Sequence, residues 1–403
     1  MAKRALLLSV IACISLGSYQ RNKVWKQPLT LWEDNVTKAP EKARALNGLG
    51  LAYSDGGNLD KAIEILTRAI QVDPQHVKAY NNLGITYSKK GMYEKSIEVF
   101  TRAIKISPDY ARAYNNLGNI YNAMGKYDQA IALYQKCITI DSSYVQAYNN
   151  LGVAYSDKGM YDAAIREYEH ALSLDPDYGE SYNNLGAAYY DSGQHEKALI
   201  ALNKALSLDP RMVEVYNNLS NVYISMGRIE DARGVLKKSL AINPRFDKAL
   251  IGLGNLYKDQ GLHPQAIEYY QKALEVDPQN PSVYHNLGTI YNKEGKFEEA
   301  IASYHKALSI KPDFARSHNN LGIAYNSIGN YSEAIKELEE AIRIEPTYFN
   351  AHLNLGLLYA EKTKDSRKAL LHLKKALTLK PDHAKAKKIR ELIERIEKGR
   401  KTQ

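Results

Sequence analysis

The sequence predicts an all-α protein, an α-solenoid of about ten helical hairpins of 34 residues each. Three observations predict it. A glycine recurs at a spacing of 34, at Gly50, Gly84, Gly118, Gly152, Gly186, Gly254, Gly288, Gly322 and Gly356, with Ser220 in the sixth place. A tyrosine stands three residues after each, from Tyr53 to Tyr359, and a leucine just before each, from Leu49 to Leu355. Within each period, apolar residues fall in two runs at helical spacing, and most periods close on a proline.

Residues 145–178 show how one unit is built. Tyr148, Leu151, Gly152 and Tyr155 fall at i, i+3, i+4, i+7 and form one apolar stripe. Lys158-Gly159 ends that helix, because glycine readily takes the backbone angles of a helix stop. Tyr161, Ala164, Ile165, Tyr168, Ala171 and Leu172 form a second stripe. Asp175-Pro176 stops the second helix, since proline lacks the N–H and clashes with the preceding turn. One hairpin cannot bury both stripes, so neighbours must stack in a row.

The period of 34 with Y-N-N-L-G-x-x-Y, a small residue in the second helix and a closing proline resembles the tetratricopeptide (TPR) repeat, with Tyr80, Tyr114 and Tyr148 where tryptophan is more usual. The resemblance covers residues 43–383. It implies a right-handed α-solenoid that binds a protein or peptide client in a concave groove, with no catalysis and no cofactor of its own.

Ahead of the array, Met1-Ala-Lys-Arg precedes a run of 13 mostly apolar residues, 5–17. That is short of the roughly 20 residues a spanning helix needs. It fits a signal-peptide core, with Ser15-Leu16-Gly17 as a small-x-small site. A lipobox ending at Cys13 and a buried cap helix are the other readings. Pro28, Trp32, Val36 and Pro40 lie 34 residues before Ala62, Leu66, Ile70 and Pro74, so residues 28–42 read as the second helix of a degenerate repeat. The stretch R-N-K-V-W-K-Q-P-L-T-L-W-E-D resembles the junction at which a transmembrane helix of some bacterial glycosyltransferase-like membrane proteins enters a TPR domain. This places residues 1–27 as an anchor or signal segment and the array outside the cytoplasm, in the periplasm.

Small residues mark the close approaches: Gly152 and Ala164 between the two helices, Ala171 against the next hairpin. Cys137 holds the place of Ala171 in the third repeat and reads as a small buried hydrophobe. Twenty-eight of the 31 tyrosines occupy five repeat positions, so they are framework, with hydroxyls expected at the solvent rim. Residues 384–403 carry eight Lys/Arg and three Glu, and 384–401 reads as a basic capping helix that buries Ile389, Leu392, Ile393 and Ile396. Residues 1–26 carry five Lys/Arg and no acid, so of the formal charge of +9 the stretch 27–383 holds −1. A near-neutral array excludes a nucleic-acid groove, which needs cations along its length.

The candidate site is an asparagine row on the first helices. Two asparagines precede Leu-Gly in most repeats. The second is Asn82, Asn116, Asn150, Asn184, Asn218, Asn286, Asn320 and Asn354, with gaps at Gly48 and Gly252. The first includes Asn115, Asn149, Asn183 and Asn217, beside Asn47, Asn81 and Asn319. Asparagine is only an average helix former, so propensity does not explain the row. A carboxamide both donates and accepts, and so it matches the main chain of any extended peptide. The row resembles that of O-linked N-acetylglucosamine transferases, which hold clients by such asparagines. The other reading is bonding between neighbouring repeats, and both stay open at this point. The carboxylate-clamp TPRs are a poorer match, because this chain lacks Lys and Arg beside the asparagines. Ile251, at a break in the row, reads either as an apolar subsite or as a tolerated irregularity.

No catalytic constellation emerges. Gly48-x-Gly50 and Gly252-x-Gly254 lack the third glycine of a dinucleotide loop, and no H-E-x-x-H occurs. His318 and His352 replace the first aromatic of their repeats and read as packed side chains. The sequence therefore points to a membrane-tethered interaction scaffold. The alternative is the substrate-binding part of a glycosyltransferase whose catalytic module lies outside this chain.

Overall fold

The computed structural model describes residues 28–401, and among them every regular element is a helix. The chain divides into two compact units, Met1–Pro210 and Arg211–Gln403. In the first, the helix Pro28–Lys38 precedes five hairpins, which begin with Ala43–Asp55 and Leu59–Val72 and end with Gly179–Asp191 and His195–Leu208. The second opens with Val213–Ser225 and Ile229–Ile242 and runs through the tenth hairpin to a last helix, Ala386–Lys401. The fold is an all-α solenoid.

The turn inside each hairpin needs a left-handed residue. Gly159 supplies it with φ +78°, and its N–H and that of Met160 close the helix on Ser156 and Tyr155 at 2.8 Å. The tenth hairpin has no glycine there. It carries one extra residue, taken up as a π-turn over Tyr359–Thr363, and Lys364 takes the left-handed place at φ 59°.

The two helices of a hairpin meet at the recurring glycine. A Cβ on Gly152 would come within 2.6 Å of the Tyr168 ring, and one on Gly254 within 2.5 Å of Tyr270. Leucines take the ring's place in hairpins one, five, six, nine and ten, and in the first of these a Cβ on Gly50 would meet Leu66 at 2.5 Å. The facing side chains Tyr134, Tyr168, Tyr270 and Tyr304 are fully buried. Their hydroxyls are not at the solvent rim, contrary to the expectation from their amphipathic character. Tyr134 and Tyr270 donate to Asn119 and Asn255 at 2.7 Å, because a buried phenol needs an acceptor and the first helix offers one.

The ends are covered. Leu29, Trp32 and Val36 pack on Leu49, Tyr53 and Ala62, and Glu33 accepts the Tyr53 hydroxyl at 2.7 Å. At the other end Ile389 and Ile393 are buried against Phe349, Leu353 and Leu373, with Leu392 and Ile396 packed beside them. None of the described helices is long and apolar enough to cross a membrane, and residues 5–17 lie outside the described part.

Two histidines at the first aromatic position behave in opposite ways. His318 bonds Glu337 at 2.6 Å and the Pro312 carbonyl at 3.0 Å. Burial opposes its charge, but these two acceptors outweigh burial and raise its pKa. His352 bonds Pro346 and meets His372, nitrogen to nitrogen, at 3.1 Å. Burial lowers both of these, and each stays neutral. The stability given by His318 is present below the ordinary histidine pKa and fades as pH rises through its own. That given by neutral His352 and His372 is present above the ordinary value and fades as pH falls. His372→Gln should therefore lose less melting temperature than the parent chain on acidification from about pH 7 to about pH 5. An unchanged slope in scanning calorimetry of that variant would contradict the assignment.

Cys137 is fully buried. Cys137→Ala should leave denaturant stability nearly unchanged, while Cys137→Leu should cost about 1–3 kcal/mol by overpacking. Equal tolerance of both substitutions in urea unfolding would mean that the site has room to spare.

Candidate peptide-binding groove

The asparagine row lies on one face of the first helices, and the structure divides it into two kinds of residue. In five hairpins the second asparagine donates back to the first asparagine of the hairpin before it. In the first unit Asn82 donates to Asn47 and Asn116 to Asn81 at 2.9 Å, Asn150 to Asn115 at 3.0 Å, and Asn184 to Asn149 at 3.1 Å. In the second unit Asn354 donates to Asn319 at 2.9 Å. The bonding between neighbouring repeats is thus present, and it fixes the orientation of each carboxamide.

The first asparagines are buried: Asn81 is 5% exposed, Asn115 and Asn149 4%, Asn319 3%. Asn149 also accepts the hydroxyl of the fully buried Ser181 at 2.9 Å. These residues are stacking joints. Asn183 and Asn217 hold the same register and are half-buried. The second asparagines, Asn82, Asn116, Asn150, Asn184, Asn218, Asn286, Asn320 and Asn354, are all half-buried. An amide has two N–H donors and a carbonyl oxygen with two lone pairs. In Asn82, Asn116 and Asn150 the joint takes one donor, and among the described residues the hydrogen bond to the oxygen of Asn82 or Asn116 is a long one of 3.4 Å from the adjacent asparagine. One donor and most of the acceptor stay open to the groove.

The gap at Gly48 has a packing cause, since a Cβ there would stand 2.4 Å from the indole of Trp32; one on Gly252 would stand 3.1 Å from the tip of Leu236, which a small shift relieves. Leu236 is the core residue of hairpin six, the hairpin that carries Ser220 in place of glycine. Ile251 does not stand free as an apolar subsite; it packs beside Leu250, Tyr270 and Leu287. With no carboxamide in that place, Asn286 turns to Asn255, one helical turn along, at 3.0 Å. Asn255 and Ser181 take part in the bonding of the row, and the sequence reading missed them. The signal was the recurrence of asparagine one turn after the row, at Asn119, Asn221 and Asn255.

Around the row the charges are unequal. Arg44, Lys78 and Arg112 stand exposed on successive first helices, and a pocket of roughly 590 Å³ lies between Trp32, Leu51, Arg44 and Lys78. Glu180 stands at the corresponding place in hairpin five. His285 takes an asparagine's place in hairpin eight and bonds the Ser317 hydroxyl at 2.8 Å. Burial, with Lys258 and Arg316 nearby, lowers its pKa to about 4, so it too is neutral. The Cys137 thiol is pushed up to about 12 by burial, which leaves no thiolate for chemistry. Among the described residues no group of three His, Cys, Asp or Glu side chains is placed to hold a metal.

The TPR repeat family model matches residues 50–91, 87–125, 254–294, 288–329 and 324–362, and a further tetratricopeptide repeat model matches 349–383. The chain is a tetratricopeptide repeat protein. Residues 109–243 also match the model of the cilia and flagella-associated protein 70 C-terminal domain. Among solved structures, yeast Tom70 is 14% identical over 96% of this chain and 94% of its own, with a TM-score of 0.53. MamA is 31% identical over 40% of this chain and 95% of its own, with a TM-score of 0.36. YrrB, described as a TPR protein with an unusual peptide-binding site, is 21% identical over 46% of this chain and 95% of its own, with a TM-score of 0.37. No curated protein matches the chain. The Tom70 likeness supports the TPR fold over nearly the whole length.

The two kinds of asparagine should separate by mutation. Asn149→Ala strands the buried Ser181 hydroxyl and the Asn184 amide, and should cost about 1–3 kcal/mol. Asn150→Ala removes a half-exposed donor and should cost under about 1 kcal/mol. Urea titrations of the two variants measure this, and equal costs would mean that the two positions are equivalent.

Proposed function

We propose that this TPR protein is an interaction scaffold that holds an extended peptide segment of a client in its groove, main chain against the second asparagines. One observation carries the reading. Asn82, Asn116 and Asn150 are each oriented by one bond to the neighbouring hairpin while a donor and an acceptor remain for a ligand. An oriented side chain loses little rotamer freedom on binding, which lowers the entropic cost of association. Helices pack about 8–10 Å apart, and an extended chain advances about 3.3 Å per residue, so each hairpin meets roughly every third residue. Main-chain recognition of this kind tolerates many client sequences. Side-chain preference falls to the surrounding residues, such as Arg44 and Lys78.

The same proposal attaches the array to a membrane through residues 1–27, on the periplasmic side, because the apolar run 5–17 follows Lys3 and Arg4. Expression of the full chain beside residues 28–403 tests this. The full chain should partition with membranes and the shorter form should not.

The groove is tested by selecting peptides from a random library against the full chain. The quadruple variant Asn82→Ala, Asn116→Ala, Asn150→Ala, Asn184→Ala should bind a selected peptide at least tenfold more weakly, while its helical circular dichroism is retained. N-methylation of the peptide backbone at every third residue should have a similar effect. A quadruple variant that folds and binds normally would refute the role of the row.

A further inference from the structure

In hairpins three, eight, nine and ten the ring at the first aromatic position does the same job. The Tyr114 hydroxyl donates to the Pro108 carbonyl at 3.1 Å and Tyr284 to Pro278 at 3.3 Å. His318 and His352 reach Pro312 and Pro346 at 3.0 and 3.1 Å. Each ring fills the space beside the closing proline of the preceding hairpin and caps its carbonyl, six residues back. A side chain from the second helix covers the ring: Lys306 stands 6.0 Å from the centre of Tyr284, and His170 4.2 Å from that of Tyr148.

Two hairpins carry leucine instead, Leu46 and Leu250, and they solve the loss differently. In hairpin one, Arg68 swings across and donates to the Pro40 carbonyl at 3.2 Å. In hairpin seven the residue in the place of Arg68 is Lys272. Its ammonium pairs with Glu268 at 2.6 Å, within its own helix. No described side chain donates to the Pro244 carbonyl. What remains is a pocket of roughly 420 Å³, with apolar walls at Leu240, Leu250, Val276 and Tyr269, Pro244 at its edge, and Lys272, Arg245 and Glu275 at its rim. That size falls within the range of small-molecule and side-chain sites. No residue of the asparagine row lines it.

We propose that this pocket is a second binding site, which takes the phenol ring of a tyrosine from a partner protein. The occupant is set by the internal equivalents. Tyr114 and Tyr284 show which group fits between a closing proline and a second helix: an aromatic ring with one donor at its tip. The pocket offers that ring apolar walls at Leu240, Leu250 and Val276, a carbonyl acceptor at Pro244, and a cation at Lys272 in the position Lys306 holds over Tyr284. Phenylalanine would fill the walls and leave the carbonyl without its donor. A phosphate would meet Arg245 but also the Glu275 carboxylate and the Pro244 carbonyl oxygen, which repel it.

The probes are 4-methylphenol, toluene and the peptides Gly-Gly-Tyr-Gly-Gly and Gly-Gly-Phe-Gly-Gly, added to the full chain with the methyl signals of Leu240, Leu250 and Val276 followed by NMR. 4-Methylphenol and the tyrosine peptide should shift these signals, and each should bind about two- to tenfold more tightly than its counterpart without the hydroxyl. Leu250→Tyr rebuilds the internal ring; it should abolish both shifts and raise the melting temperature. Val276→Phe blocks the pocket from the other wall and serves if Leu250→Tyr does not fold. Three results overturn the proposal: equal affinity for toluene and 4-methylphenol, binding that survives either blocking variant, or binding of 4-methylphenol without the tyrosine peptide. The last would make the pocket a site for free phenols and not for a partner's side chain. Absence of any shift with all four probes overturns it as well.

Discussion

The close approach of two helices at one glycine governs this molecule. At nine hairpins the first helix carries no side chain where the core residue of the second helix comes in, and a single methyl there would stand 2.5 to 2.8 Å from that residue. Because the site is filled to contact, the two helices have one relative position. Each hairpin then presents the same surface to the next, and the buried small residues such as Ala171, Cys137 and Ser239 accept it. Overpacking any of these contacts costs about 1–3 kcal/mol, a sizeable share of a domain's net stability.

From that fixed geometry the groove follows. With the hairpins held in register, the second asparagine of one hairpin meets the first asparagine of the hairpin before it at about hydrogen-bond length, again and again within a unit. The joint leaves Asn82, Asn116 and Asn150 oriented and half satisfied, a state suited to receiving a peptide main chain. The same rule explains the exceptions. Trp32 fills the space that an asparagine would need at Gly48, so the first hairpin has no second asparagine. Ile251 offers no carboxamide, and Asn286 finds Asn255 instead. Leu250 removes a ring that other hairpins use to cap a proline carbonyl, and a pocket opens there.

The repeat, the helix ends and the apolar stripes were legible in the sequence because each rests on local chemistry repeated ten times. Gly159, Pro176 and the spacing of Tyr148, Leu151 and Tyr155 state the hairpin without reference to any neighbour. The asparagine row was legible as a row, but its division into joints and open carboxamides was not. That division depends on which amide faces the hairpin before, a distance of 35 residues along the chain. The buried phenols of Tyr134 and Tyr270 were missed for a like reason, since their acceptors Asn119 and Asn255 lie on the partner helix. The extra residue of hairpin ten was hidden because the tyrosine beat continues to Tyr359, just before the π-turn.

The central claim is that contact at the glycine sets the register on which the groove depends. Native-state hydrogen exchange of Gly152→Ala tests it most directly. The account predicts faster exchange through hairpin four and the adjoining faces of hairpins three and five, together with loss of protection at the side-chain amides of Asn150 and Asn184. Hairpins one and two should keep their native rates. Native exchange in hairpin four, with both amides still protected, would contradict it.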